Sequence, residues 1–420
     1  MAGPRSRVRR SAALACLASC LVVPTGCGDD DSEPRRGRTL TIYSSLPFQG
    51  APRSISTSTA NGIRLALKQA RHRAGRFELR YVSLDDSTVQ AGNWTPEATT
   101  ANARRAARDE TAIAYIGDFN SGATAVSLPI LNEAGLAQVS PSNTAVGLTT
   151  DEPGAVEGEP DKYYPTGRRT YVRIVPIDTI QGAAIATLMK EDGCGNVFIV
   201  NDEEVYGAGL ARNIERSANA QGITVLGTSG IDPRSPNYRS IAARLKAEGA
   251  QCFAFAGTTP NNAVALFKDV HTELPDAGLY GGDGVSDSPF VDPAEGGIPP
   301  DVARRTQITV ATLPPDAYPP AGRRFFEEYE QAYGDASPEP FAVYGYEATR
   351  LIMDAIRRAG ARGNERAAVV KELFRTKGRE SVLGTYDIDA NGDTTLTDYG
   401  AYRIRDGQLT FNRTIKAPAE

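Results

Sequence analysis

The feature that most constrains this chain is an alternation. From Thr39 onward, short apolar runs of strand length take turns with segments whose apolar residues recur every three or four positions. Residues 40–44, 77–84, 112–117 and 137–140 read as strands, with helices over 61–73, 96–109 and 123–134 between them. A loop over 151–170, rich in Gly, Pro and acid, interrupts the pattern, which then resumes. Helices are expected over 180–191, 210–220, 238–248 and 263–271, and strands over 196–201, 224–227 and 252–257. Strands separated by helices pair in parallel through right-handed crossovers. Two such series predict an α/β chain of two doubly wound parallel-sheet lobes. The last quarter changes character, with helices over 320–333, 341–359 and 366–376 followed by strand-like 381–388, 400–404 and 409–412. Such an ending suits elements that return to cover both lobes. The expected division is 39–177 plus 314–380 for the first lobe and 178–313 plus 381–420 for the second, joined by hinge crossings.

The start of the chain is an address. Arg5, Arg7, Arg9 and Arg10 precede an uncharged run from Ser11 to Val23, the pattern of an export signal. That run is too short for a bilayer, which needs about 20 helical residues. It leads to Val23-Pro24-Thr25-Gly26-Cys27, which resembles a bacterial lipobox, with Pro24 where Leu is usual. Residues 1–26 are therefore expected to be a lipoprotein signal peptide, Cys27 the lipidated mature terminus, and 27–38 a solvated tether. Loss of the four leader arginines would take the net charge from −5 to −9. Cys16 and Cys20 would leave with the leader, so Cys194 and Cys252 remain, each just before an apolar run. An oxidising compartment permits a disulfide between them if their strands are neighbours with Cα atoms within about 7 Å. Two buried free thiols are the alternative.

Several kinds of chemistry are disfavoured. The composition, 40% hydrophobic and 23% charged with a negative net charge, is that of a globular protein without a nucleic-acid partner. His72 and His271 are the only histidines and neither has a metal-spaced partner, which leaves little for a zinc site or a His-dependent triad. Neither half has a phosphate loop: residues 44–50 and 201–206 stand where a G-x-G-x-x-G would follow the first strand of each half. No cofactor or metal is expected. Asp387, Asp389, Asn391, Gly392 and Asp393, with Asp398, match part of a calcium-loop pattern, but the flanks read as strands and Asn-Gly is a hairpin signal. A turn is expected there.

The informative residues are polar ones placed where strands end and helices begin: Ser121-Gly122, residues 140–144, Tyr206-Gly207, Thr258-Thr259 and residues 281–284. In open α/β sheets, ligands bind beyond the carboxyl ends of the strands. Backbone N–H groups at helix starts favour a carboxylate, and Asp283 could balance an ammonium. Each of these residues taken singly fits a helix cap or turn; their recurrence in both halves is what points to a site.

Across residues 40–412 the chain resembles the substrate-binding proteins of branched-chain amino acid ABC transporters, in the type I periplasmic-binding-protein fold. The stretches that carry the resemblance are 81–87, 114–117 with 121–124, 139–144, 205–211, 281–285, and 383–384 through 392–393. The resemblance implies that Ser121 and Thr144 bind a ligand carboxylate through hydroxyl and backbone N–H, and that the Ser142 carbonyl meets the ammonium. It also implies that Asp283 pairs with that ammonium and that Tyr206 closes over the ligand from the second lobe. Thr258 stands where Tyr is common, and Asp283 is a methylene shorter than the more usual Glu. Ser87 and Asn120 stand where some members carry a cystine. The expected protein is a monomeric, non-catalytic receptor, anchored to the membrane through Cys27, that delivers an amino acid to ABC permease subunits. Two rivals stand beside it. One is a sensor, or a receptor for amides, urea or aromatic acids, of the same fold. The other is an enzyme, for which Asp85, Asp86 and Asp283 offer acids but no activated nucleophile accompanies them.

Overall fold

The computed structural model describes residues 38–416. The expected leader, Cys27 and the tether up to residue 37 lie outside the described residues. The first lobe holds β1 (Thr39–Leu46), α1 (Arg53–Gln69), β2 (Phe77–Asp85), α2 (Pro96–Arg108), β3 (Ala112–Gly117), α3 (Ser121–Glu133), β4 (Ala137–Ser140) and β5 (Tyr171–Arg173). These strands pair in parallel in the order β2-β1-β3-β4-β5, with the short strand Arg73–Ala74 antiparallel at the β2 edge. β1 is buried along nearly its whole length, as a central strand covered by helices on both faces should be.

The second lobe follows with α4 (Asp178–Glu191), β6 (Asn196–Asn201), α5 (Val205–Ala220), β7 (Thr224–Gly230), α6 (Arg239–Ala247), β8 (Cys252–Ala256), α7 (Ala263–Glu273), β9 (Gly278–Gly281) and β10 (Thr306–Val310). The chain then returns to the first lobe for α8 (Pro320–Tyr333), α9 (Ala342–Ala359) and α10 (Arg366–Phe374). It re-enters the second as the antiparallel pair β11 (Asp398–Arg405) and β12 (Gln408–Lys416). The second sheet runs β7-β6-β8-β9-β10-β11-β12. In both sheets the strand order reverses beside the first strand, which opens a crevice at the carboxyl ends of β1 and β3 and of β6 and β8.

β5 and β10 are strands that no expected apolar run covers, and three further differences concern the bounds of elements and lobes. α1 begins at Arg53, eight residues earlier than the apolar periodicity suggests, because the run 54–59 reads as a loop by its Ser and Thr. Thr57 and Thr59 return their hydroxyls to the carbonyls of Arg53 and Ile55, at 2.7 and 2.8 Å, so these polar residues sit inside the helix. α5 likewise starts at Val205 rather than 210. Gly207 weakens the local helix signal, yet it lies against Asp202 and the Ala256 carbonyl, where a Cβ would overlap both.

The third difference concerns the lobe boundary expected at 380/381. Residues 381–394 stay on the first lobe and the crossing falls between Asp393 and Asp398. Tyr386 donates its hydroxyl to Glu347 of α9 at 2.9 Å, and Gly392 accepts from the Arg173 N–H of β5 at 2.9 Å. The calcium-like run 387–393 is a turn within this segment. Asp389 Oδ1 accepts three backbone N–H bonds, from Asn391, Gly392 and Asp393, at 2.8–2.9 Å. Asp393 pairs with the fully buried Arg173 at 2.5 Å.

Buried tyrosines satisfy the carbonyls of the crossings, which no sheet neighbour reaches. Tyr344 donates to Ala311, Tyr402 to Thr312 and Tyr399 to Pro176, at 2.7–3.1 Å. Cys194 and Cys252, with Cα atoms 6.1 Å apart, are joined by a disulfide where β6 and β8 begin, at the end of the sheet away from the crevice.

Candidate functional site

A cleft lies between the lobes, and Ser121, Ser142, Thr144, Tyr206, Thr258 and Asp283 all line it, together with Phe119, Asn120, Gly284 and Phe341. Its free space is about 40 Å³, and a second void of about 30 Å³ shares Phe119, Asn120, Thr258, Asp283 and Gly284 with it. The walls come from the carboxyl ends of β3, β4, β6, β8 and β9.

The first-lobe wall is rigid because a buried asparagine staples it. Asn143 Nδ2 donates to the carbonyls of Asp118 and Phe119 at 3.1 and 2.9 Å, while its Oδ1 accepts from Thr124 at 2.6 Å and Tyr171 at 3.1 Å. Arg173 reaches the same loop from behind, donating to the carbonyls of Asn143 at 3.3 Å and Ala145 at 2.7 Å, on either side of Thr144. Ser142 is oriented by its own hydroxyl, which donates to the Phe119 carbonyl at 2.8 Å. Ser121 opens α3, and the N-cap residue Asn120 makes no side-chain capping bond, so the first-turn N–H groups are not claimed by it. Gly122 packs between Trp94 and Glu204: a Cβ there would stand 2.7 Å from the indole and 3.0 Å from the carboxylate.

The second-lobe wall carries the charge. Tyr206 donates to Asp283 Oδ1 at 2.8 Å, and its oxygen accepts from the Gly284 N–H at 3.3 Å. Asp283 Oδ2 is buried without a hydrogen-bond partner. Burial pushes the Asp283 carboxyl up to about 6, against the pull of the Tyr206 hydrogen bond. Asp178, at the start of α4, is fully buried with neither carboxylate oxygen hydrogen-bonded, and burial first, then the nearby charge of Asp283, raises it well above the usual range. Glu204 is pushed up to about 7 by burial, with Asp202 adding to it. Thr258 is half-buried and donates its N–H to Asp202 at 2.9 Å.

Among the described residues, no Lys, Arg or His lines either void. The cleft therefore offers hydroxyls and a helix start on one side and an unpaired acid on the other. No group of three or more His, Cys, Asp or Glu is placed to hold a metal among the described residues.

Sequence reasoning missed Phe119, Asn120, Phe341 and Asp178. Phe119 and Asn120 sit one step before Ser121, and their position at a strand end was a usable signal. Asp178 reads locally as a first-turn helix acid. Phe341 comes from the loop before α9 and meets Phe119 edge to face at 5.4 Å, a pairing only tertiary structure creates.

Two doubly wound lobes with a polar cleft at their strand ends define a two-lobed solute-binding protein. The chain belongs to the periplasmic binding protein family, whose sequence model matches residues 39–408. Membership places it among extracytoplasmic solute-binding proteins, with the type I fold. A Leu/Ile/Val-binding protein of Rhizobium johnstonii is 25% identical over 375 residues, covering 88% of this chain and 93% of the relative. The solved leucine-binding protein of Thermotoga maritima superposes with a TM-score of 0.77 at 22% identity, covering 90% of this chain and 99% of that one. A solute-binding protein of R. palustris in complex with benzoate gives 0.73 at 18% identity, covering 91% of this chain and 97% of that one.

Proposed function

We propose that the protein is the substrate receptor of an ABC importer and closes on a zwitterionic amino acid of the branched-chain group or a relative of it. The observation that carries this reading is the buried Asp283, with one oxygen unpartnered, in a cleft that also presents Ser121, Thr144 and the start of α3. A zwitterion satisfies both sides, its carboxylate on the hydroxyls and N–H groups and its ammonium on Asp283 and the Ser142 carbonyl. Tyr206 and Thr258 complete the enclosure from the second lobe, and exclusion of water strengthens the polar contacts. The names of the relatives, Leu/Ile/Val-binding and leucine-binding, agree with an amino acid.

The rest of the reading follows the same family logic. The receptor is monomeric and non-enzymatic, docks on permease subunits, and is tethered by acyl chains on Cys27. Mass measurement of the mature N-terminus reads the lipidation directly.

The second reading, a receptor for amides, urea or aromatic acids or a sensor of this fold, draws on the benzoate-bound neighbour and the Phe119–Phe341 pair. An anion without an ammonium would leave Asp283 unpaired beside it, which favours the first. Calorimetry decides: amino acids are expected to bind and benzoate not, and Asp283→Ala should cost roughly a hundredfold or more in affinity. Binding of benzoate alone, or unchanged affinity in the variant, would sink the proposal.

A further inference from the structure

The second lobe meets the first along α5. Val205 packs on the first-lobe cluster around Leu128, Leu148 and Tyr164, and two turns further on Arg212 bonds the Gly154 carbonyl. Just before the helix, Glu204 reaches the start of α3. Gly122 stands there, where a Cβ would lie 2.7 Å from the Trp94 indole of the same lobe and 3.0 Å from Glu204 Oε2 of the other. Nothing local calls for glycine at this position. Gly122 lies in the first turn of α3 and has no positive φ, and glycine is the poorest helix former but proline. What its missing side chain provides is room at a seam between the lobes.

The seam borders the site on both sides. Ser121 precedes Gly122 by one residue and Tyr206 follows Glu204 by two, so this contact fixes how the two cleft walls face each other. On the receptor reading above, the ligand is held between those walls. We infer that Gly122 is a positioning residue for ligand binding: its bare backbone lets Glu204 seat beside Ser121, and a side chain there holds Tyr206 and Asp283 away from the first-lobe hydroxyls. Trp94 is half-buried, so within its own lobe the ring has room to move aside. A wedge at residue 122 therefore acts on the fit between the lobes and leaves the core of each intact.

Calorimetry with leucine, isoleucine and valine, joined to the fluorescence of Trp94, tests this, because Trp94 is the only tryptophan of the chain and sits at the seam. Gly122→Val is expected to weaken binding about tenfold to a hundredfold, with thermal unfolding of the free protein shifted by no more than about 3 °C. Ligand should change the Trp94 emission of the parent, and the change at saturation should be smaller in Gly122→Val. Trimming the opposite lobe, in Gly122→Val/Glu204→Ala, should restore at least about threefold of the lost affinity, which a residue acting only within its own lobe would not do. Gly122→Ala, the milder wedge, carries the same test if the larger variant does not unfold cooperatively. Unchanged affinity in both variants, or a loss that Glu204→Ala leaves whole, would overturn the inference and leave the amino acid reading standing. If none of the three ligands binds the parent, the branched-chain reading falls, and the seam is read in the free protein: Trp94 emission should differ between the parent and Glu204→Ala. Identical spectra would then remove the inference as well.

Discussion

Asp283 shows how burial resets the titration of one carboxyl in the cleft. Its oxygen Oδ1 is held by Tyr206, Oδ2 is empty-handed, and burial raises its titration to about 6. In the free protein it therefore keeps a proton that the unfolded chain has already lost near pH 4, and the folded state loses stability as pH rises from about 4 to about 6. On the proposed function a bound ammonium would pull the same group down, so binding should be tighter at higher pH. Affinity for an amino acid is expected to fall about tenfold per pH unit below 6, and Asp283→Asn should flatten that slope in calorimetry run from pH 4.5 to 8. That Ser121, Ser142, Thr144, Tyr206, Thr258 and Asp283 follow strand ends, and so face one cleft, was legible in the sequence because hydroxyls and an acid after strand ends leave a local mark. The burial of Asp178 beside Asp283 was not, because a single acid at a helix start looks the same whether it caps, pairs or stays unpartnered.

At the scale of elements, the crossing segments carry the least expected chemistry. The turn 389–393 looks in sequence like part of a calcium loop, but its acids are used internally, and Asp393 completes a buried pair with Arg173. That arginine also donates to the carbonyls flanking Thr144, so one guanidinium ties the return segment to the cleft-facing loop. Arg173→Gln leaves Asp393 buried without its cation and is expected to cost about 3–5 kcal/mol, read by denaturant unfolding. The double variant Arg173→Gln/Asp393→Asn should recover part of that loss. The helices that began early, α1 and α5, have their first turns built from Ser, Thr and Gly, whose low propensity hides them. What makes them helical is packing: Gly62 of α1 lies against the Ala342 carbonyl of α9 where no Cβ fits, and Gly207 of α5 against Ala256.

At the scale of the whole molecule the two lobes touch directly. Arg212 on α5 donates to the Gly154 carbonyl in the loop 151–170 at 2.6 Å, and Glu339, before α9, accepts from the Ser288 hydroxyl at 2.5 Å. A ligand that binds only between closed lobes stabilises the folded chain by mass action, about 4 kcal/mol at a thousandfold excess over Kd. Thermal unfolding should shift upward accordingly, and small-angle scattering should show a smaller radius of gyration. The disulfide acts elsewhere. It joins the starts of β6 and β8, a strand length from the cleft, so the double variant Cys194→Ser/Cys252→Ser should lose about 2–4 kcal/mol of stability and keep its ligand affinity.

Alternating periodicity by itself determined the α/β class, the presence of two lobes and the ends of the sheets at which the cleft lies. Strand and helix periods are written in neighbouring residues, and parallel pairing follows from them. Only the tertiary structure decided the rest. Phe341 came to face Phe119, residues 381–394 stayed on the first lobe, and Arg173 met Asp393. Each of these joins residues far apart in the chain or fixes a side chain's direction. Their energies come from burial and pairing that no local window contains.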